Sequence, residues 1–220
     1  TEVRRQRQMC IRDRWYTVAK RSRTYVAKVL SSISGEYYKN YNVNRLIRRS
    51  NGIDLYYGDK SEFFSYDKVV LASHADQALS IIDEPTKEEL EILSKFKYRE
   101  NIAVIHTDES IMPNNKDIWS SWNSSVDKNN IEKNSITYWL NLLQNLDFDK
   151  NIFLTLNPNF EINEDKILKK VNFTHPYFDQ SALDNQNKLK NLQNKKNLLF
   201  CGSYFGYGFH EDGIKSSIEM

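Results

Sequence analysis

The sequence predicts a mixed fold, α/β plus α+β, with an antiparallel-sheet block inserted between two segments of another domain. Three observations carry this reading. Residues 43–66 hold three short strand patterns around Asn51-Gly52, a strong hairpin signal. An apolar strand at 68–72 runs directly into a helical pattern. Close to the other end, an apolar run at 198–201 leads through a glycine-rich loop to the opening of a helix.

Bulk properties narrow the class. At 220 residues and 40% hydrophobic, the chain can bury one substantial core or two small ones. A net charge of +2 argues against a nucleic-acid binder. Cys10 and Cys201 lie too far apart to suggest a metal pair or a disulfide framework, so no metal is expected. No apolar run approaches the length of a membrane span, and no hydrophobic signal segment is visible, so a cytoplasmic location is the expectation. The oligomeric state is left open.

Taken in order, residues 1–14 are basic and lack apolar periodicity. Gln8 to Arg14 resembles a translated sequencing-adaptor scar, the alternative being a basic arm that touches phosphates. Residues 22–33 predict a helix with Ser22 as N-cap, ended by Gly35. Strands are expected at 43–49, 53–57 and 62–66, the last two joined by a turn at Gly58-Asp59-Lys60. The buried strand 68–72, a helix through Ile82 and a second helix at 86–96 follow. The pattern then changes to strands at 102–107, 118–122, 136–142 and 152–156, with three of the four tryptophans, Trp119, Trp122 and Trp139. Residues 166–173 are ambiguous, and 179–192 read as a helix. Four of the seven glycines fall between Gly202 and Gly213, ahead of Glu211-Asp212-Gly213. Glycine lets backbone approach a ligand, and a helix start offers unpaired N–H groups, so this stretch makes a seat for negative charge.

An ordered set of motifs resembles a known family. It comprises Asp67-Lys-Val-Val-Leu-Ala-Ser-His-Ala-Asp-Gln-Ala78, Ala103-Val-Ile-His-Thr-Asp108, Met112-Pro113, Ser121-Trp-Asn123, Thr137-Tyr-Trp139, Thr155-Leu-Asn-Pro158, His175-Pro176 and Tyr207-Gly-Phe-His-Glu-Asp-Gly213. From about Trp15 onward, the chain looks like the C-terminal half of bacterial FAD-dependent oxidoreductases of the amine-oxidase type. Such proteins resemble one another most at an N-terminal strand and G-x-G-x-x-G loop that holds the dinucleotide pyrophosphate. No such element occurs here, so the resemblance implies a fragment that binds FAD poorly by itself.

The resemblance implies a partial FAD-binding domain of Rossmann-like, glutathione-reductase type, at 15–83 and 179–220, and an antiparallel-sheet substrate domain at 84–178. It implies hydride transfer from an amine or a lipid-like C–C substrate to the flavin. The rival reading is a non-enzymatic α+β domain that binds a ligand or partner. The amides of Gly213 and Ile214 would face the anionic side of the reduced ring, with Gly208, His210, Glu211 and Asp212 around them, or would simply begin a surface helix. Gly202 and Ser203 would meet the ribityl chain or form a tight turn, with Ser203 standing where relatives place an acid. Val43 would meet the adenine edge or pack in a core. Ala72 and Ser73 end a strand at the ligand crevice or make a plain strand–helix turn. His74 faces the cofactor or caps the next helix, the cap being favoured. His106 lines the substrate cavity or is a satisfied sheet histidine, the latter favoured. His175 is expected in a loop. Trp122, Asn123, Tyr138 and Trp139 would form an aromatic wall or sheet core, with core favoured.

Overall fold

A computed structural model describes residues 18–58, 62–127 and 130–220, and the side chains of 18–58, 62–126 and 134–220. The tail 1–14, the start of the resemblance at Trp15, and Asp59-Lys60 of the second turn lie outside the described residues. The chain forms two compact units, Thr1–Lys39 and Asn40–Met220.

In the first unit, α1 spans Ser22–Ser31. Ser22 is its first helical residue rather than its cap. Arg21 holds the cap position with a φ of 66° and no side-chain bond, and the helix closes at Ser32, before Gly35.

The second unit opens with the expected meander: β1 (Val43–Arg49), β2 (Gly52–Tyr57) and β3 (Phe63–Tyr66), paired antiparallel in that order. Gly52 pairs with Arg49, so Ser50 and Asn51 form the turn and glycine opens the strand. A Cβ there would stand 2.6 Å from the Tyr66 carbonyl oxygen, which explains glycine at this position. Asp54, 6% exposed, crosses the meander by accepting from Arg49 Nε and Ser65 Oγ, both at 2.7 Å.

Then come β4 (Val69–Leu71), α2 (Ala75–Ile81) and α3 (Lys87–Leu93). Thr86 and Glu89 build a capping box for α3: Thr86 Oγ1 accepts from Glu89 N at 3.2 Å, and Thr86 N donates to Glu89 Oε2 at 2.7 Å. The main core gathers Leu46, Ile53, Val69, Leu71, Leu93, Leu198 and Phe200 from both ends of the unit. Residues far apart in sequence thus share one interior.

The block between them is a five-stranded sheet in the order β6-β7-β8-β5-β9, every pairing antiparallel. Its strands are β5 (Lys97–His106), β6 (Trp122–Asp127), β7 (Asn130–Trp139), β8 (Phe153–Leu156) and β9 (Ile167–Tyr177). Three expectations need correction. The segment 118–122 is a 3-10 turn, Lys116–Ile118, followed by a connection into β6. Strand β7 ends at Trp139, and Leu140–Leu143 is a short helix, α4. His175 is no loop residue: it sits in β9 opposite Arg99, and Pro176 is tolerated beside it because β9 is an edge strand.

Asp179 caps α5 (Gln180–Gln186), with Oδ1 accepting from Ala182 N at 2.9 Å. The helix stops there, and Leu189–Leu192 is a separate 3-10 turn. The chain ends with β10 (Leu198–Phe200), a 3-10 turn at Ser203–Phe205 and α6 (His210–Ile218). No described helix is long and apolar enough to cross a membrane.

Candidate functional site

Strand β10 runs parallel to β4 in the register Leu198↔Val69, Leu199↔Val70, Phe200↔Leu71. Both strands therefore deliver their carboxyl ends to one place, and Ala72-Ser73 emerges beside Cys201-Gly202. In open parallel sheets that crevice is where ligands bind. Gly202 has a φ of 153°, and a Cβ on it would lie 2.7 Å from the Tyr204 ring and 3.5 Å from the Ser73 carbonyl oxygen. Only glycine fits so close an approach. A cavity of about 560 Å³ opens beside Ser73 and is lined by Val43, Leu55, Val70, Ala72, Ser73 and Ile81, among others. On the other side, Gly213 reaches Ser203: its Cβ position is 3.8 Å from Ser203 N. Val43, Ala72 and Ser73 thus line this cavity, Gly202 meets the Ser73 carbonyl, and Gly213 approaches Ser203.

The glycine loop works differently from expectation. The Gly213 amide donates to the Phe209 carbonyl at 3.3 Å, so it belongs to the hydrogen-bond ladder of α6. Ile214 lies one residue deeper in the helix. The amides free of that ladder are those of His210, Glu211 and Asp212, one turn earlier. The Asp212 carboxylate faces back into the loop, where Oδ2 accepts from Tyr207 N at 3.0 Å and Phe209 N at 2.9 Å. Gly206 exists for this carboxylate, because a Cβ there would stand 2.3 Å from Asp212 Oδ1. Gly208 N donates to Ser203 O at 3.1 Å and ties the loop to the crevice. His210 and Glu211 are exposed at the helix start.

His74 occupies the cap position of α2, but its side chain caps nothing. The cap is Tyr98, whose hydroxyl oxygen accepts from Ala75 N at 2.8 Å while its ring stacks on His74 at 4.3 Å. Burial pushes the Tyr98 phenol up to about 12, so it stays protonated. No sequence motif announces this cap, because it crosses from strand β5.

The five substrate-side residues do not converge. His106 is fully buried. Its Nδ1 accepts from Asp108 N at 3.2 Å, which leaves Nε2 to donate to Thr155 Oγ1 at 2.8 Å. Thr155 then donates to Thr137 Oγ1 at 2.9 Å. Burial holds the His106 pKa below its ordinary value, with the Asp108 charge opposing only in part. Asn123 is engaged with Ser120, donating to its carbonyl at 2.7 Å. Trp139 sits on the sheet's covered face, edge-on to Trp119 at 5.4 Å, beside the small core of Met112, Trp119 and Phe153. Adjacent residues alternate faces along a strand. Tyr138 therefore lies on the opposite face, with its cross-strand partner Trp122 at 6.4 Å. The favoured reading, sheet core, fits Trp139, and the alternative of an aromatic wall reduces to the Trp122–Tyr138 pair.

Asp108, which no motif singled out for a role, is the polar hub beneath the sheet and is 2% exposed. It accepts from Ser110 N and Oγ, Asn163 N and Lys166 Nζ, at 2.8 to 3.1 Å. Burial alone would raise its carboxyl. The Asn163 amide, Lys166 and Ser110 outweigh that and hold it far below the carboxylate range.

This arrangement has counterparts among solved proteins. It matches the CLA-producing fatty acid isomerase from P. acnes at 13% identity and a TM-score of 0.64, over 90% of this chain and 50% of the other. A putrescine oxidase variant matches at 9% identity and 0.60, over 91% and 51%. The chain is similar in fold to amine-oxidase-type enzymes. Cyclohexylamine oxidase from Brevibacterium oxydans gives 9% identity and 0.51, over 81% and 46%. The resemblance carried by the motifs is thereby borne out as a likeness of fold, and the chain spans about half the length of these structures. No family model and no curated protein sequence matches it.

Proposed function

We propose that this chain is the flavin- and substrate-facing half of an FAD-dependent oxidoreductase. One observation supports the reading: two parallel strands bring Ala72-Ser73 beside Cys201-Gly202 at their carboxyl ends, next to a cavity that Val43, Ala72 and Ser73 line. In this reading β4 and β10 belong to a Rossmann-like sheet, 15–83 and 179–220 hold the cofactor, and 84–178 meets the substrate. The fit is favourable at the start of α6, where the His210 to Asp212 amides offer partial positive charge. FAD, when bound, would accept a hydride from an amine or a C–C substrate at N5. Ala72 and Ser73 would admit the cofactor closely because they are small, and the Ser203 hydroxyl would replace the acid of relatives as a neutral partner. Asp212 would act indirectly, by folding the loop that presents those amides.

A second reading has its own support. The open face of the five-stranded sheet carries Trp122, Val126, Ile136 and Phe173, all exposed, while its covered face buries Ser135, Thr137, Thr155 and His106. That exposed apolar cluster suits a non-enzymatic module that docks a ligand or partner. A flavin titration followed by visible absorbance after desalting separates the two. The polypeptide completed with the other half of the fold should retain FAD, and a colourless product would favour the docking module. This chain alone should bind FAD more weakly than about 1 μM, because half the contacts are missing.

A further inference from the structure

The open face of the five-stranded sheet changes character along its length. Register and alternation put Trp122, Tyr138, Ile136, Leu156, Val171 and Phe173 on that face. One end is polar instead. Arg99 and His175 are cross-strand partners there, and both are exposed. The Arg99 guanidinium lies 3.6 Å from the centre of the Tyr177 ring and pairs with no carboxylate among the described residues. Glu100, its neighbour in β5, turns to the other face. A chain of amides fixes the His175 tautomer. Asn157 Oδ1 accepts from Ile102 N at 2.9 Å, so Asn157 Nδ2 is the atom that donates to Asn101 Oδ1 at 2.7 Å. Asn101 Nδ2 then donates to Arg99 O at 3.0 Å and to His175 Nδ1 at 3.2 Å. Nδ1 is thereby an acceptor, and the neutral ring carries its proton on Nε2. The face offers a guanidinium and an imidazole N–H at the head of an apolar floor.

We propose that this face binds a long-chain fatty acid, with its carboxylate on Arg99 and His175 and its acyl chain laid over Phe173, Val171, Leu156 and Ile136 toward Trp122. A guanidinium takes a carboxylate through two parallel N–H bonds, and its charge repels an ammonium, so the site selects an acid over an amine. From Arg99 to Ile105, β5 rises about 20 Å, enough for an acyl chain of about sixteen carbons. Lys169 faces the same side at the far end, but among the described residues no ring or polar group holds it in place. Under the oxidoreductase reading, on which this rests, the acid is the substrate; its binding needs no flavin.

The test uses this chain without flavin. A saturated fatty acid brominated at its methyl end is titrated below its micelle concentration, and quenching of tryptophan fluorescence is read. The quenching should saturate, and Trp122→Phe should remove most of it, because Trp119 and Trp139 lie on the covered side. The unbrominated acid should displace the probe, whereas its methyl ester and the amine of equal length should need about tenfold more. Arg99→Gln, at an exposed side chain, should fold normally, weaken the acid about tenfold and erase the difference between acid and ester. Arg99→Lys should keep part of that difference, and Lys169→Gln should leave it intact. The proposal is overturned if no saturable quenching appears, if acid and ester compete equally with the native chain, if Arg99→Gln binds the acid as before, or if the quenching survives Trp122→Phe. Binding to phosphatidylglycerol vesicles with the same dependence on Arg99, but not to the free acid, would also overturn it, in favour of a membrane surface. Retention of FAD by the completed polypeptide is a separate result, so either can fail while the other stands.

Discussion

Gly206→Ala tests whether the glycine loop is shaped by a carboxylate. The new methyl would stand 2.3 Å from Asp212 Oδ1 and 2.4 Å from Cγ, where ordinary contact begins at 3.4 Å. Asp212 must retreat by about 1 Å, which stretches its bonds to Tyr207 N and Phe209 N from 3.0 and 2.9 Å to about 4 Å, beyond hydrogen-bonding range. Two charge-assisted bonds would be lost, but their amides are exposed and water replaces part of each, leaving a net cost of about 1–3 kcal/mol. The strain comes from the side-chain contact, since Gly206 has a negative φ of −134°. Urea unfolding would measure the cost, and amide exchange at Tyr207 and Phe209 would place it. The cycle with Asp212→Ala is decisive. In that background the carboxylate is gone and only the residue-212 Cβ remains, 2.9 Å from the methyl, so Gly206→Ala should cost at least about 1 kcal/mol less than beside the native Asp212. Equal costs in both backgrounds, or unchanged exchange at both amides, would refute the reasoning.

Four further outcomes are expected. His106 has its folded pKa lowered by burial, so the unfolded chain binds the extra proton first, and stability should fall as pH drops below about 6.5. Urea midpoints across pH should show that step and His106→Gln should remove it. Asp108 also has a lowered folded pKa, so its contribution is present above about 4 and is lost as pH falls further. Asp108→Asn should flatten stability below that point in the same titration. Thr155→Val leaves the His106 Nε2–H unpaired inside the sheet and should cost about 1–3 kcal/mol by chemical denaturation, with Thr155→Ser restoring most of it. Tyr98→Phe removes the hydroxyl that caps α2 and should lower stability by about 1 kcal/mol, seen as faster exchange at Ala75.

Local chemistry was legible in the residues wherever it is encoded locally. The hairpin around Asn51-Gly52 and the strand at 152–156 are encoded within a few positions and form close to where expected, with the turn one residue earlier, at Ser50-Asn51. The inserted antiparallel block and the return at Leu198 also followed from strand spacing. What resisted reading depends on residues that meet only after folding. Tyr98 caps a helix 23 positions away, and Asp108 gathers Asn163 and Lys166 from 55 and 58 positions away. The disfavoured alternative of one aromatic wall cannot gather all four residues, because Tyr138 and Trp139 are neighbours in sequence and face opposite ways. Glycine abundance marked a tightly turned loop, but it could not say that Gly206 makes room for the Asp212 side chain.

The side-chain clamp of Gln193 on Phe200 bears on the order of assembly. It spans seven residues, so closing it costs little chain entropy and needs no distant segment. The β10 margin of the β4–β10 pair is therefore closed by a local contact, and replacing the glutamine with leucine would leave the Phe200 N–H and C=O without it.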